Sequence, residues 1–535
     1  MAVNNAPERG RMPSDLSKNI WRQGSPLLAL ALASCNALPG VDLAPNYTPP
    51  EFIVPASWHG ASPFVEARPS DAEIRSDWWK LFRDPVLDRL EQQAMVSNPD
   101  LQATAERFVQ ARDIMMGIQS RLYPRLGLGF GASDNKQSQA ALFRAPDSPI
   151  HDPSVYDTGI ASWEPDFWYA IRNETRAQIY RAEQRAAEYA LARLSVQAEI
   201  ASDYFTLRGL DAQQGIYKQS IDYYKKSLAI VNEQYMGKIA SELDVARAKA
   251  LLSNTEAKQL EVQGEREVVE HALAVLVNMA PASFKIEAAP GLRVIPLRIP
   301  RKLPSTLLER RPDISAMERE MARANREIGV AKAAFFPRVE FRLDGGFEDH
   351  GINLIKLANS FWSYGSTISL PIFEGGLRRA QLQQSWSIYR ETEDKYRSIV
   401  LNAFREVENG LSLTNRLNAA AKKLDETVAA TQKTQELTMD LFRGGLGSSL
   451  DLIYAQVATL TARIDSVQVK TRVLKACVDL IRALGGGWDR GKLPTDDEIQ
   501  PFGPLQYDFA EKPAPAGGID VSLDNPNNDL TQPAR

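Results

Sequence analysis

Proline is absent from two long stretches of this 535-residue chain, 166–280 and 372–493, although the chain contains 32 prolines. A proline inside a helix removes a backbone donor, crowds the preceding turn and costs about 3 kcal/mol. Each window can therefore hold helices of unusual length. In the first, the residues from Ile171 to Tyr235 run without a strong breaker, which at about 1.5 Å per residue predicts a rod of roughly 100 Å. A single compact domain has no use for such a rod, whereas a duct or a stalk does.

The apolar spacing agrees. Leu191, Leu194, Ala198, Ala201 and Phe205 step by three and four, with Ile200, Tyr204 and Leu207 as a second stripe beside them. Val400, Ala403, Val407 and Gly410 step likewise in the later window. Heptad-like spacing means packing against neighbouring rods. An ordinary dimeric coiled coil favours Leu or Ile at these positions; the many small residues here predict helices that touch a neighbour on both sides.

The chain also repeats itself. Asn98-Pro99-Asp100 returns as Arg311-Pro312-Asp313, and Tyr123-Pro124-Arg125 as Phe336-Pro337-Arg338. Trp163-Glu164-Pro165-Asp166-Phe167 corresponds to Ser369-Leu370-Pro371-Ile372-Phe373, and Tyr235-Met236-Gly237 with Leu243-Asp244 to Phe442-Arg443-Gly444 with Leu450-Asp451. Matches in one order at nearly constant offset read as two copies of one unit, 76–285 and 286–490. Each unit reads as a helix, two short strands, a very long helix, a glycine-containing turn and a returning helix.

The strand segments alternate with period 2. Val339, Phe341, Leu343 and Phe347 alternate with Arg338, Glu340, Arg342 and Asp344; Leu126, Leu128 and Phe130 alternate with Arg125, Gly127, Gly129 and Gly131. Their partners fall at about 155–164 and 361–370, with Tyr156, Trp163, Trp362 and Tyr364 near the ends. One apolar face, one polar face and aromatic margins suit an outer-membrane barrel; a soluble hairpin pair is the plainer alternative. Four strands cannot close a barrel, and an open edge in lipid leaves backbone groups unpaired. Copies must then pool strands, and three copies give twelve.

Only two cysteines occur, so no disulfide framework exists. Cys477 lies in a helical pattern and reads as a buried thiol. Cys35 follows Lys18, Arg22 and the apolar run 26–33, the layout of an export signal over residues 1–34. Leu32-Ala33-Ser34-Cys35 has the form of a bacterial lipobox, whose cysteine becomes the lipid-bearing first residue; a chance cysteine behind an ordinary secretory signal is the alternative. Asn36 after it favours the outer membrane. Residues 1–17 are long for a basic leader, which leaves Met12 beside Met1 as a possible start. Residues 35–75 are proline-rich and read as an extended lipidated strap, and 491–535 as a disordered tail.

Taken together, these residues resemble the TolC-like outer-membrane factors, in the lipoprotein branch that works with resistance-nodulation-division transporters. The motifs that carry the resemblance are Asp77-Trp78-Trp79-Lys80-Leu81-Phe82-Arg83-Asp84-Pro85-Val86-Leu87, Glu309-Arg310-Arg311-Pro312-Asp313-Ile314, Leu370-Pro371-Ile372-Phe373-Glu374-Gly375-Gly376, Leu441-Phe442-Arg443-Gly444-Gly445-Leu446-Gly447-Ser448-Ser449-Leu450-Asp451 and Ala483-Leu484-Gly485-Gly486-Gly487-Trp488. The resemblance covers about 35 to 490. It implies a mixed α/β membrane protein: a homotrimer with a twelve-stranded outer-membrane β-barrel, four strands per chain, continued by a long periplasmic α-helical barrel. It implies a passive, gated exit duct of a tripartite efflux pump, partnered by a periplasmic adaptor (membrane fusion) protein and an inner-membrane transporter. Diacylglycerol and palmitate on Cys35 would anchor it in outer-membrane lipid.

The resemblance also implies that two helix-turn-helix tips, 237–244 and 444–451, form the periplasmic end. There Gly237, Gly444, Gly445 and Gly447 would meet the adaptor, and Leu450, Asp451, Tyr454 and Asp244 would line the constriction. Relatives often carry Leu-Asp-Ala-Gln where this chain reads Ile453-Tyr454-Ala455-Gln456, and an arginine position of some members is Val457. An aspartate–arginine lock is therefore not expected here. Three Asp451 carboxylates round one axis would repel one another and attract cations; equally, Asp451 and its counterpart Asp244 read as helix caps, with Ser448 or Ser449. Both roles stand.

Little else suggests chemistry. The four histidines make no ligand spacing, Gly127-Leu128-Gly129-Phe130-Gly131 has the wrong spacing for a dinucleotide loop, and Gly485-Gly486-Gly487 reads as a helix stop. No catalytic residue, metal site or cofactor is expected, and the balance of 63 Lys+Arg against 67 Asp+Glu gives no nucleic-acid signature. The competing readings are a pore-less periplasmic coiled-coil lipoprotein and, within the duct class, an exit for protein or metal.

Overall fold

A computed structural model describes residues 40–50, 76–136, 138, 151–289, 291–292, 307–351 and 356–500. Cys35 with the export signal, residues 51–75 of the expected strap, and the tail beyond 500 lie outside the described residues.

A 3₁₀ turn, Trp78–Phe82, leads into α1 (Pro85–Ser97) and α2 (Pro99–Gln119). Strands β1 (Arg125–Lys136) and β2 (His151–Trp163) precede the rod α3 (Ala170–Met236) and its return α4 (Glu242–Leu276). Then come α5 (Pro312–Ala333), β3 (Arg338–Asp349), β4 (Ser360–Ser369), the rod α6 (Leu377–Arg443) and its return α7 (Ser449–Ala483). Both rods have 67 residues and both returns 35. The paired sequence marks fall at equivalent element ends: Pro99 and Pro312 each open a helix at the position where a missing N–H costs nothing.

The first rod runs one residue beyond the expected span at each end. The single leading helix expected in the first unit is two, because Pro99 forces a break that Asn98 caps, accepting from Asp100 N at 3.0 Å and Leu101 N at 3.1 Å. Strand β2 starts four residues before the expected 155 and ends at 163; β4 covers 360–369 in place of 361–370. The tail is not disordered from 491: Asp496–Ile499 forms one helical turn, and Ile499 is fully buried with Phe108, Met115 and Ile179. The triple glycine does stop α7, with positive φ at Gly485, Gly486 and Gly487.

The helices form a single row. α3 packs between α4 and α7, and α7 between α3 and α6; nearer the strands α3 packs on α2 and α5, and α5 on α6. The stripes read from sequence are the contact faces: Leu194, Ala198, Ala201 and Phe205 are buried, as are Val400, Ala403 and Val407. Small residues let the rods close up, since a Cβ on Gly209 would stand 2.3 Å from Thr471 Oγ1 of α7. The tryptophan motif anchors the middle: Trp78, Trp79 and Phe82 are buried against Ala198, Tyr204 and Phe205 of α3 and Val473, Cys477 and Val478 of α7.

The four strands form one antiparallel sheet in order β1-β2-β3-β4. Cross-strand partners share a face, so the register Leu126↔Ala161↔Leu343↔Tyr364 and Leu128↔Gly159↔Gly345↔Trp362 gathers the apolar residues on one side. Arg125↔Ser162↔Arg342↔Gly365 gathers polar and glycine positions on the other. There Arg338 pairs with Glu164 and Arg342 with Asp344. Among the described residues no helix is long and apolar enough to cross a membrane.

Candidate functional site

Two features of this architecture bear on function: the far tips of the helical hairpins and the unpartnered edges of the wall.

At the first tip, Gly237 ends α3 and Lys238 takes a left-handed φ of 58°, before Ser241 caps α4. At the second, Gly444 ends α6, Gly445 takes φ 73°, and Ser448 caps α7. Gly447 is there for space, as a Cβ would stand 3.1 Å from Phe442 N. The two tips lie side by side over a small core of Val231, Ala248, Met439, Phe442 and Leu452.

The structure distinguishes the cap residue from its partner. Ser241 and Ser448 are the caps; Asp244 and Asp451 stand three residues on, at the third helical position. Ser448 Oγ donates to Asp451 Oδ2 at 2.6 Å while Asp451 N donates to Ser448 Oγ at 3.1 Å. At the first tip Ser241 Oγ and Ser241 N donate to Asp244 Oδ2 at 2.6 and 3.1 Å, a reciprocal capping box. Hydrogen bonds from the Ser241 hydroxyl and amide, helped by Arg247 and by Ser449 of the other tip, hold the Asp244 carboxyl below its ordinary 3.8. Ser449 of the other hairpin thus stands near the Asp244 carboxyl, a proximity that sequence reading missed because Ser449 is over two hundred residues away.

Leu450, Asp451 and Tyr454 lie together on the first turns of α7; Tyr454 is 67% exposed and Val457 is open beside it. Among the described residues the Asp451 carboxylate accepts from Ser448 of its own turn. Sequence reading also passed over the apolar crown of the tips: Met236, Ile239 and Leu446 are each about 80% exposed.

Strands β1 and β4 each have one neighbour, which leaves a full row of backbone donors and acceptors open on either side. The helical row ends the same way. Its outer helix α4 exposes Leu260, Val268 and Val275, and α6 exposes Leu401, Leu413, Leu437 and Leu441. Leu126, Leu128, Phe130, Trp362, Tyr364 and Ile368 stand out on the apolar sheet face. A monomer in water would leave all of this wet.

Comparison with known proteins agrees with that shape. The profile of the family described as outer membrane efflux protein matches residues 90–279 and 303–486. Outer membrane protein OprJ of Pseudomonas aeruginosa is 30% identical over 475 residues, which is 87% of this chain and 96% of OprJ. The cation efflux system protein CusC of Escherichia coli is 27% identical over 87% of this chain and all of CusC. Among solved structures, the outer-membrane channel OprN superposes with a TM-score of 0.78 at 27% identity, over 84% of this chain and 100% of OprN. The chain belongs to the outer membrane efflux protein family.

Proposed function

We propose that three copies of this chain close into one tube, a twelve-stranded barrel in the outer membrane continued by an α-helical barrel through the periplasm. The observation that carries this is the pair of open edges on every level of one protomer, β1 and β4 above, α4 and α6 below. Unpaired strand edges cannot rest in lipid, and joining β1 of one copy to β4 of the next removes them all at threefold closure. The equal 67- and 35-residue helices support reading the chain as a duplicated unit that supplies two adjacent staves of the wall.

The duct is passive. An inner-membrane transporter and a periplasmic adaptor would deliver small molecules, with Gly237, Gly444, Gly445 and Gly447 at the adaptor-facing tips. Leu450, Asp451, Tyr454 and Asp244 would surround the resting constriction. Acyl chains on Cys35 would hold the strap to the membrane. CusC is named for cation efflux and OprJ for no substrate, at similar identity to this chain, which supports leaving substrate choice to the transporter.

Paired cysteine substitutions, one along β1 and one along β4, test the assembly. Oxidation should yield a covalent trimer in membranes, and purified trimers should conduct ions across a planar bilayer. A monomer that stays folded in water without detergent would refute the reading.

A further inference from the structure

The apolar face of the sheet is not a uniform wall. Near its base an open groove of about 560 Å³ crosses β2, β3 and β4, lined by Ala161, Trp163, Phe341, Leu343, Tyr364 and Ser366. Register puts all six on the apolar face: Trp163 pairs with Phe341, Ala161 with Leu343, Leu343 with Tyr364, and Phe341 with Ser366. The wall is held in place, because Trp163 Nε1 donates to Leu122 O at 3.0 Å and its ring stacks on Phe341 at 6.2 Å with 22° between planes. The rings of Trp163, Phe341 and Tyr364 flank the short side chains of Ala161 and Ser366, which leaves a shallow apolar depression between them.

The strap indicates what fills it. Val41 N donates to Phe167 O at 2.8 Å, and Gly40 lies so close to Tyr169 that a Cβ there would stand 2.6 Å from its ring. Phe167 follows Trp163 by four residues, and Cys35 precedes Val41 by six. Six residues reach at most roughly 20 Å, about half the ~40–45 Å of a bilayer with its headgroups. The attachment point of the acyl chain is therefore held within roughly 20 Å of Phe167, four residues along the chain from Trp163 of the groove.

The geometry points to this groove as the seat of an acyl chain carried by Cys35. The inference rests on the lipidation put forward above. The short tether keeps the chain within reach of the groove, where it covers the β2–β4 face of its own protomer. The anchor then acts as part of the packing at the strand base as well as a tether.

The test uses the full chain expressed in an outer-membrane-bearing host fed a diazirine palmitate. The mass of the N-terminal peptide reports acylation of Cys35 separately from where the chain lies. After irradiation, the acylated peptide should be joined to peptides holding Trp163, Phe341 or Tyr364. Ser366→Trp, which fills the groove while the trimer still forms, should cut that adduct several-fold with acylation unchanged. Adducts spread evenly over β1 and the other strands, or unaffected by Ser366→Trp, would overturn the groove assignment while leaving the anchor intact. Groove peptides labelled equally by free phospholipid in Cys35→Ser protein would assign the groove to bulk lipid instead. An unmodified Cys35 removes anchor and inference together, yet leaves the conductance of the duct standing.

Discussion

Asp211 on the rod α3 and Arg266 on the returning helix α4 meet at 2.6 Å, with neither side chain more than 10% exposed. Asp211 also accepts from Arg208 at 3.0 Å and from Ala289 N at 3.1 Å, while Arg208 and Arg266 donate to Glu287 O and Ile286 O. One carboxylate thus ties rod, return helix and the segment leading to the second half. Burial works against both guanidinium charges, but hydrogen bonds to Tyr204 and Asp211 outweigh it and raise both above their ordinary value.

Asp211→Ala would leave two buried cations short of their shared partner, a loss of about 3–5 kcal/mol for a broken buried pair. We expect the trimer yield to fall sharply and limited proteolysis to open the 284–289 segment. Wild-type protease resistance in the variant would show the cluster to be dispensable.

At the second tip, the cap and gate roles of Asp451 separate by substitution. Ser448→Ala removes the cap alone and costs about 1 kcal/mol of local helix stability. Asp451→Ala removes cap partner and ring charge together. If the carboxylates line the constriction, single-channel recordings should show weakened divalent-cation block only in Asp451→Ala. Equal behaviour of the two variants would leave only the cap.

Glu91 gives a pH prediction. Its carboxyl is fully buried on α1, and neither oxygen has a hydrogen-bond partner among the described residues. Burial, followed by the like charge of Asp88, raises it well above its ordinary 4.5. The folded protein keeps this proton at pH values where the unfolded chain releases it, so stability is fully present below the ordinary value and declines as pH rises towards the raised one. Glu91→Met should therefore raise the unfolding midpoint near pH 7, by the equivalent of about 1–3 kcal/mol. The gap should shrink towards pH 4, and a pH-independent difference in melting would count against this account.

Two glycines should respond in opposite directions. Gly485 has φ 90°, and a Cβ would stand 2.1 Å from Arg310 O, a backbone atom. Gly485→Ala should cost at least about 1–3 kcal/mol and reduce folded protein in the membrane. Gly264 is inside α4 with nothing within 4 Å of its Cβ position, so Gly264→Ala should gain up to about 1 kcal/mol. Thermal melts of the two variants supply the comparison.

The long rods and the strand alternation were legible in the sequence because each is a local pattern. Ile171–Tyr235 marks the rod to within a residue, since helix continuation depends on nearby residues, and proline interrupts it wherever it falls. Asp451 was ambiguous because a gate and a cap use the same carboxylate; only the structure put Ser448 at the cap, with its hydroxyl donating to that carboxylate. The tail from 491 read as disordered on composition, yet Thr495 and Glu498 cap a turn that drops Ile499 into a pocket made by α2 and α3.

Sequence by itself determined the periods: helix length, strand alternation, glycine stops and proline breaks, all set by the backbone geometry of a few neighbouring residues. Tertiary structure decided which distant partners meet. Asp211 finds Arg266 across 55 residues, Asp244 comes near Ser449 across the tips, and the apolar strand residues converge on one face. It also decided that one chain ends in open edges on every level. Those outcomes depend on where long rods run side by side, which no local spacing encodes.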